Sequence, residues 1–356
     1  MRHGLMTWRE SELSQADVLA RQRRLQAAMR ESNLDAVLLY TNHVRSGAVT
    51  FMTGFTPYWA DALLLLPAEG RALFAVALSK RVGTWIQSTN PTVEVAHSPQ
   101  PGRLIGDRLV ALGAKKIGVV ELDRLPGGLV DEIRAVATAV ELTDASALFG
   151  TVRSLPDTAE AGLARQADAI AAAAFATAPS KLTRVGDVTE ALELSVRNAG
   201  AEECYVATAP DLASDARLSR VKGGVRLGTI FAVRLSVAYG GTWIRRTETF
   251  ASFGADATLS AIAYAADELA AKLDLGADVA RQIENFNWPA GATVADWSIE
   301  APFGTRPLQR VASKAAPPLE ATPYGVLSLR LNSRTPVLLA RPVGVVGQAL
   351  ARRSSA

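Results

Sequence analysis

The sequence predicts two domains: an α/β N-terminal domain followed by an α+β C-terminal domain whose sheet is mostly antiparallel. Three observations support this fold class. The 356 residues exceed what one ordinary hydrophobic core organises. Short apolar runs alternate with helix-like segments in the first half, whereas the second half groups its helices around a hairpin and terminal strands. The pattern changes at Leu155-Pro156, so we expect one domain at 1–153 and another at 154–356.

Five short apolar runs mark the strands of the first half. An amphipathic helix over residues 12–32, which Ser14 or Asp17 could cap, precedes them. The helix PGGLVDEIRAVATA and the strand VELTD close the domain near residue 150. The five runs are AVLLY at 36–40, ALLLLP at 62–67, ALFAVAL at 72–78, VEVA at 93–96 and KIGVVEL at 116–122.

The second half begins with a long alanine-rich helix, for which Asp157 or Thr158 is the expected N-cap. Asp187 or Thr189 is the expected cap of the next helix. The segment RLSVAYGGTWIRRTETF at 234–250 is typical of a hairpin that turns at Gly240-Gly241, where a tight turn needs positive φ. The remaining predicted elements are helices at 157–178, 187–199 and 257–273 and strands at 325–331 and 336–340.

Composition excludes several classes of protein. The net charge is only +3, from 38 basic and 35 acidic residues without a dense basic run, so we expect no nucleic-acid partner. The single cysteine, Cys204, excludes an intramolecular disulfide and fits a reducing compartment. The N-terminus has no apolar leader-like run, and ALLLLP is too short to span a bilayer. We therefore expect a cytoplasmic protein with no membrane partner.

Four segments follow one another along the chain: RLQAAMRESNLDAVLLY with FMTGFTPYW, TVRSLPDTAEAGLARQADAIAAAA, GDVTEALELSVRNAGAE and RLGTIFAVRLSVAYGGTWIRRTETF. In this order they resemble the creatinase, prolidase and Xaa-Pro aminopeptidase family, known as the pita-bread proteins. RLQAAMRESNLDAVLLY followed by FMTGFTPYW resembles the first strand and the TGF segment. TVRSLPDTAEAGLARQADAIAAAA resembles the inter-domain helix, with Ser154 where lysine is usual, and GDVTEALELSVRNAGAE resembles the next helix. RLGTIFAVRLSVAYGGTWIRRTETF resembles the family's hairpin, and the likeness becomes thin after residue 255.

The resemblance implies a curved antiparallel sheet in the second domain and a paired assembly, either a homodimer or a heterodimer with an active relative. It also implies a site in which five ligands hold two divalent ions, two of the ligands being aspartates of the hairpin. Arg234 and Arg245 stand at those two positions. A guanidinium is always charged and cannot ligate a cation, so the usual metal site cannot form here.

The histidines support the same expectation. They are His3, His43 and His97, so residues 98–356 contain none. In the family, the histidine ligand, the G-H-G-x-G segment and the catalytic histidine of metal-free creatinase all belong to the C-terminal domain. FGTRPL at 303–308 is the nearest stand-in for that segment, and GVLSLRLNS at 325–333 has Arg330 or Leu331 where the family has a glutamate. We expect no metal and no other cofactor.

Three alternatives remain for the hairpin arginines, because two unpaired guanidinium groups are costly to bury. They pair with acids such as Glu248, Asp296 or Glu300, they reach solvent, or they bind a small anion through paired N–H groups. Arg246 and Glu248 share a strand face and are expected to form a local pair of little energetic value. The residues expected to contact an anionic ligand are Arg234, Tyr239, Arg245, Arg246, Arg306 and Arg330.

The other candidate residues have ordinary structural explanations. His43 and His97 are expected to be polar residues at a surface or strand end, and Cys204 is expected to be a buried, inert thiol. The aromatic group Phe51, Phe55, Tyr58 and Trp59 fits core or subunit-interface packing, or the wall of a ligand site.

Two functions stay open. One is a catalytically degenerate family member that acts as a binding or regulatory partner, with a small anion as a candidate ligand. The other is a metal-independent hydrolase of a small C–N substrate, creatinase-like or aminopeptidase-like. A carboxylate that converges with the arginines would favour the enzyme, because hydrolysis needs an acid or a base and a scaffold does not.

Overall fold

The computed structural model describes residues 9–42, 44–55, 61–155, 157–177, 183–252, 256–315 and 324–344. The chain divides into two compact units, Met1–Leu155 with Phe303–Pro307 and Pro156–Pro302 with Leu308–Ala356. A six-stranded sheet lies in the first unit and a separate seven-stranded sheet in the second. The predicted fold class, an α/β domain followed by an α+β domain, is confirmed.

The first unit is built on a mixed sheet of order β4-β3-β2-β1-β5-β6, in which β2 runs antiparallel to both of its neighbours. All five predicted apolar runs are strands. The strands are β1 Ala36–Thr41, β2 Ala62–Pro67, β3 Ala72–Val76, β4 Val93–His97, β5 Lys116–Val120 and β6 Glu141–Asp144. The helices are α1 Gln15–Glu31, α2 Gly47–Thr53, α3 Lys80–Thr89, α4 Pro101–Leu112, α5 Gly127–Arg134 and α6 Ser146–Ser154, with a 3₁₀ turn at Leu122–Arg124.

Helices cover both faces of this sheet, which explains why its central strands β1, β2 and β3 are continuous apolar runs. Leu39 of β1 packs into a cluster with Leu25 of α1 and Phe149 of α6. Its neighbour Leu38 faces the opposite way, into a cluster with Ile105 of α4. Successive strand residues therefore enter two different cores, one on each side of the sheet.

Ser14 is the N-cap of α1, one of the two caps expected for it. Its hydroxyl oxygen accepts the Asp17 amide at 3.1 Å, and the Asp17 carboxylate accepts the Ser14 amide at 3.0 Å. The two residues form a capping box, in which each side chain satisfies a free amide of the first turn. Asp17 is thus part of the cap although it is not itself the N-cap.

The aromatic segment FMTGFTPYW is divided between described and undescribed residues. Phe51 and Phe55 lie in the first unit's core, each only 4% exposed. Phe55 makes edge contacts with Phe74 and Trp85. Core packing therefore accounts for these two rings, whereas Tyr58 and Trp59 lie outside the described residues.

The second unit is built on a sheet of order β11-β10-β12-β13-β9-β8-β7. The registers described between its strands are antiparallel. The strands are β7 Glu203–Ala209, β8 Ile230–Tyr239, β9 Thr242–Ala251, β10 Thr293–Phe303, β11 Arg306–Ser313, β12 Gly325–Asn332 and β13 Val337–Val343. The helices are α7 Thr158–Thr177, α8 Val185–Asn198, α9 Ala257–Lys272 and α10 Val279–Glu284, with a 3₁₀ turn at Pro289–Gly291.

The helices of this unit pack against one face of the sheet. Residues of α7 and α8 share a core with Leu235, Val237 and Ile244 of the hairpin β8–β9. Residues of α9 share a second core with β10, β12 and β13. The other face of the hairpin carries Arg234, Ser236, Trp243 and Arg245.

The caps of the first two helices of the second unit differ in origin. Asp157 caps α7 as expected, accepting the Glu160 amide at 2.9 Å. The expected caps of α8, Asp187 and Thr189, are wrong because both lie inside the helix. The amides of Val185 and Gly186 instead donate to the carbonyls of the 223–225 segment, so the backbone satisfies the start of this helix.

No helix in the described part of the chain is both long and apolar enough to span a membrane.

Candidate ligand-binding face of the hairpin

The β8–β9 hairpin turns through two glycines in the left-handed region. Gly240 has φ 57° and Gly241 has φ 74°, which confirms the expected need for positive φ. The Glu202 carboxylate accepts both glycine amides, at 2.9 and 3.4 Å. The turn is therefore held by a side chain as well as by its conformation, which fixes the register of the two strands.

This register decides which arginines share a face. Arg245 is paired with Ser236, and Arg234 is paired with Thr247. Because paired residues project to the same side and alternate residues share a face, Arg234 and Arg245 are diagonal neighbours on one face. Arg246 is paired with Leu235 and projects to the opposite, helix-covered face.

Tyr205 of β7 and Trp243 of β9 lie on the same face as the two arginines. Tyr205 is paired with Ser236, and Trp243 is paired with Ala238. Their rings stack with centroids 5.5 Å apart and planes 9° from parallel. We call this set of residues the arginine face: Tyr205, Arg234, Ser236, Trp243 and Arg245.

Glu300 of β10 forms an ion pair with Arg245. In sheet order β13 and β12 lie between β9 and β10, so a flat sheet would separate these two strands by about 14 Å. Direct contact across two intervening strands indicates that the sheet curves with the arginine face on its inner side. The expected pairing of a hairpin arginine with Glu300 is thus present for Arg245.

Arg234 has a different environment. It is half-buried, and its guanidinium makes no hydrogen bond or ion pair with any residue that the structure describes. Burial lowers the pKa of the Arg234 guanidinium, the charge of Arg245 lowers it further, and Glu300 partly opposes the shift. The group still carries its charge at neutral pH. Arg234, Arg245 and Glu300 together carry a net charge of +1.

Two further donors on the arginine face are without partners among the described residues. The Ser236 hydroxyl and the Trp243 indole N–H make no hydrogen bond there, and both residues are half-buried. Tyr205, in contrast, donates its hydroxyl to Glu203 at 2.7 Å. Burial and this bond raise the pKa of Tyr205 to about 12, so the phenol is neutral. The face thus presents three free donors beside an aromatic stack.

Arg246 belongs to an ion network on the opposite face. It contacts Asp168 of α7 at 3.0 Å, Glu248 of β9 at 3.1 Å and Asp267 of α9 at 2.9 Å. Arg341 of β13 contacts the same Glu248 and Asp267. The Arg246–Glu248 pair exists as expected, but its description as a merely local pair is wrong because it joins two helices and two strands.

The other proposed ligand contacts are not brought to the arginine face. Tyr239 is 4% exposed and packs in the core beneath α7 and α8. Arg306 is exposed and lies in the segment that groups with the first unit. Arg330 is exposed on β12, where it is the cross-strand partner of Asp296.

The residues on this face do not fit a divalent metal centre. Arg234 and Arg245 supply positive charge where anionic oxygens would be needed, and the Glu300 carboxylate is already paired with Arg245. Among the described residues, no three His, Cys, Asp or Glu side chains form a group that could hold a metal ion. His97 is exposed at the end of β4, and His3 and His43 lie outside the described residues.

Cys204 is buried at 5% exposure among residues of the α7–α8 core. Burial raises the pKa of its thiol to about 12, and Glu193 raises it further while Arg197 opposes it. A thiol that stays protonated is a poor nucleophile, so this environment agrees with the expected inert cysteine.

One family model matches part of the first unit. Residues 21–155 match the creatinase/prolidase N-terminal domain. No curated protein matches the sequence.

Solved structures match both units together. The Xaa-Pro dipeptidase from Bacillus anthracis is 18% identical with a TM-score of 0.67, covering 91% of this chain and 94% of its own. The prolidase from Pyrococcus horikoshii is 16% identical with a TM-score of 0.66, covering 91% and 94%. The X-Pro aminopeptidase from Thermotoga maritima is 16% identical with a TM-score of 0.66, covering 89% and 94%. At these identities the likeness establishes the fold, including the curled antiparallel sheet of the second unit.

Proposed function

We propose that this protein is a catalytically degenerate member of the creatinase/prolidase group which binds a small anion; the match of residues 21–155 to that N-terminal domain and the prolidase-like fold support the proposal. The single observation that supports the proposal is the state of Arg234. Its half-buried guanidinium has no partner among the described residues, while its neighbour Arg245 already holds Glu300.

The energetic argument starts from the cost of a buried charge. A guanidinium removed from water loses solvation that only a hydrogen-bonded anion restores well. The local charge of +1 attracts an anion, and the planar fork of Arg234 can donate two parallel N–H bonds to a carboxylate or phosphate. Each charge-assisted bond contributes on the order of 1.5–3 kcal/mol. The same charge repels a divalent cation from the face.

Thermal denaturation with candidate ligands tests this function. We expect acetate or phosphate to stabilise the wild-type protein and Mn²⁺, Co²⁺ or Zn²⁺ to have no specific effect. Arg234→Met keeps the apolar stem and removes the donors, so anion affinity falls roughly ten-fold or more. Arg281→Met is the matched control, because Arg281 is exposed on α10. Equal anion stabilisation in wild type and Arg234→Met would refute the proposal, and so would tight binding of one or two metal ions per chain.

The competing function, a metal-independent C–N hydrolase, is favoured by one observation. Glu300 is a carboxylate that converges with the arginines on the inner side of the sheet. To serve as a base it would have to act while paired with Arg245. Hydrolysis of creatine or X-Pro dipeptides by metal-free protein, lost in Glu300→Gln, would establish the enzyme. If the wild-type protein shows no such hydrolysis, the hydrolase function is excluded for those substrates.

A paired assembly is part of the proposal and rests on the family resemblance. The described aromatic residues Phe51 and Phe55 are in the core, so they do not argue for an interface. Sedimentation at micromolar concentration tests self-pairing. A homodimer is expected, and a clean monomer leaves only the heterodimer with an active relative.

A further inference from the structure

The arginine face contains more than an anion site, and its remaining groups indicate what the anion is attached to. Tyr205 and Trp243 come from strands on either side of β8, and their rings stack above it. Ser236 is paired directly with Tyr205 on one side and with Arg245 on the other. An aromatic surface and a cationic surface therefore adjoin, with a free hydroxyl between them.

The geometry points to a planar aromatic monocarboxylate of the benzoate type as the ligand of this face. The inference rests on the proposed anion site and specifies the substrate class that the site takes. The carboxylate would accept N–H bonds from Arg234 and the hydroxyl bond of Ser236, and the ring would lie against the Tyr205–Trp243 stack.

Charge favours a monoanion over a dianion. Arg234 and Arg245 supply two positive charges and Glu300 one negative charge, so one added negative charge neutralises the group. A second negative charge would remain uncompensated and would lie near Glu300. A benzoate therefore fits better than an aryl phosphate in its dianionic form.

The aromatic stack favours a flat ring over an aliphatic chain. Two aromatic rings in offset-stacked or edge-on contact gain interaction free energy beyond that of the apolar area they bury. The half-buried Trp243 also has an indole N–H that donates to no partner among the described residues. A substituent that accepts a hydrogen bond from the indole would add to recognition. The exposed Arg220 guanidinium lies 5.0 Å from the centre of the Tyr205 ring and already covers it, so the ligand ring would pack against the Trp243 side of the stack.

Calorimetric titration with benzoate, cyclohexanecarboxylate and acetate tests the inference on the full chain. We expect benzoate to bind about ten-fold or more tightly than acetate, with cyclohexanecarboxylate between them. Trp243→Leu is expected to remove most of that ratio, while acetate still binds through Arg234 and Ser236. Tyr205→Phe keeps the ring and is expected to keep the ratio, which separates stacking from the hydroxyl bond to Glu203.

The outcomes distinguish the two proposals. If acetate and benzoate bind equally and both depend on Arg234, the anion site stands and the aromatic ligand class is overturned. If none of the three carboxylates binds, or if binding survives in Arg234→Met, both are overturned. If Trp243→Leu folds poorly, the ratio of benzoate affinity to acetate affinity is compared between the wild type and Tyr205→Leu instead. Equal affinities of the wild type for the two ligands contradict the inference without any variant.

Discussion

Replacing Arg341 by methionine should destabilise the second unit strongly, because Arg341 is the most enclosed charge of the ion network. Its side chain is 2% exposed, and its partner Glu248 is 15% exposed. It also donates to the backbone carbonyls of Thr247 and Ala340, at 2.9 and 3.0 Å. Methionine fills much of the same volume but leaves the Glu248 carboxylate with Arg246 alone and both carbonyls without this donor.

The loss of stability in Arg341→Met depends on which partners of Arg341 can be solvated again by water. Breaking a buried ion pair by removing one partner costs about 3–5 kcal/mol. Asp267, the other acid bonded to Arg341, is 48% exposed and can be resolvated, so we expect the lower end, about 3 kcal/mol. The control is Lys272→Met, which breaks a pair with Glu268 on the surface of α9. An exposed pair four residues apart on a helix contributes about 0.3–0.5 kcal/mol.

Hydrogen exchange resolved to peptides is the appropriate assay, because it reports on the second unit without assuming that the two units unfold together. The opening free energy of peptides that cover β9 and β13 should fall by about 3 kcal/mol in Arg341→Met. Peptides of the first unit should exchange as in the wild type. A loss no larger than that of Lys272→Met would refute the view that the network joins these elements.

Two further outcomes follow from shifted pKa values. Native Cys204 should react with a thiol reagent at pH 8 far more slowly than Cys204 in the unfolded chain. Its pKa is raised to about 12, so its contribution to the free energy of unfolding is full below the pKa of the unfolded thiol and is lost as pH rises towards 12. Fast native labelling would contradict its burial. Asp35 accepts the amides of Lys116 and Lys115, which lower its pKa, so its stabilisation is present above the unfolded value near 3.8 and is lost as pH falls through the folded value. Because this carboxylate is exposed and an asparagine oxygen can still accept both amides, Asp35→Asn should cost no more than about 0.5 kcal/mol at pH 7, and the cost should shrink as pH falls below 3.8. Denaturant titrations that show a cost independent of pH would contradict this account.

The central strands of the first unit were predictable because both faces of its sheet are buried there, which makes them continuous apolar runs such as ALLLLP. The strands β7, β10 and β11 were not identified as strands. They carry polar residues on one face, as in TVADWSIEAPF, and their apolar spacing is diluted. Their place in the sheet depends on pairing with distant strands, which local sequence does not specify.

The arginine pair itself was predictable, but its surroundings were only partly so. A two-residue turn at Gly240-Gly241 fixes the register, so Arg234 and Arg245 fall on one face and Arg246 on the other. Because alternate strand residues share a face, the same register would have identified Ser236 and Trp243 as neighbours of the pair. It would also have excluded Tyr239 from the predicted ligand contacts. Tyr205 and Glu300 could not be found in this way, because they reach the site through strand pairing and sheet curvature.

The most direct test of the central claim is a crystal structure of the protein soaked with para-bromobenzoate and MnCl₂ together, with anomalous data collected at the bromine and manganese absorption edges. The account predicts a bromine peak next to the Tyr205–Trp243 stack, a carboxylate bonded to Arg234 and no manganese between Arg234 and Arg245. A manganese peak between the two arginines would contradict it, as would Arg234 found with no anion in a crystal saturated with the ligand.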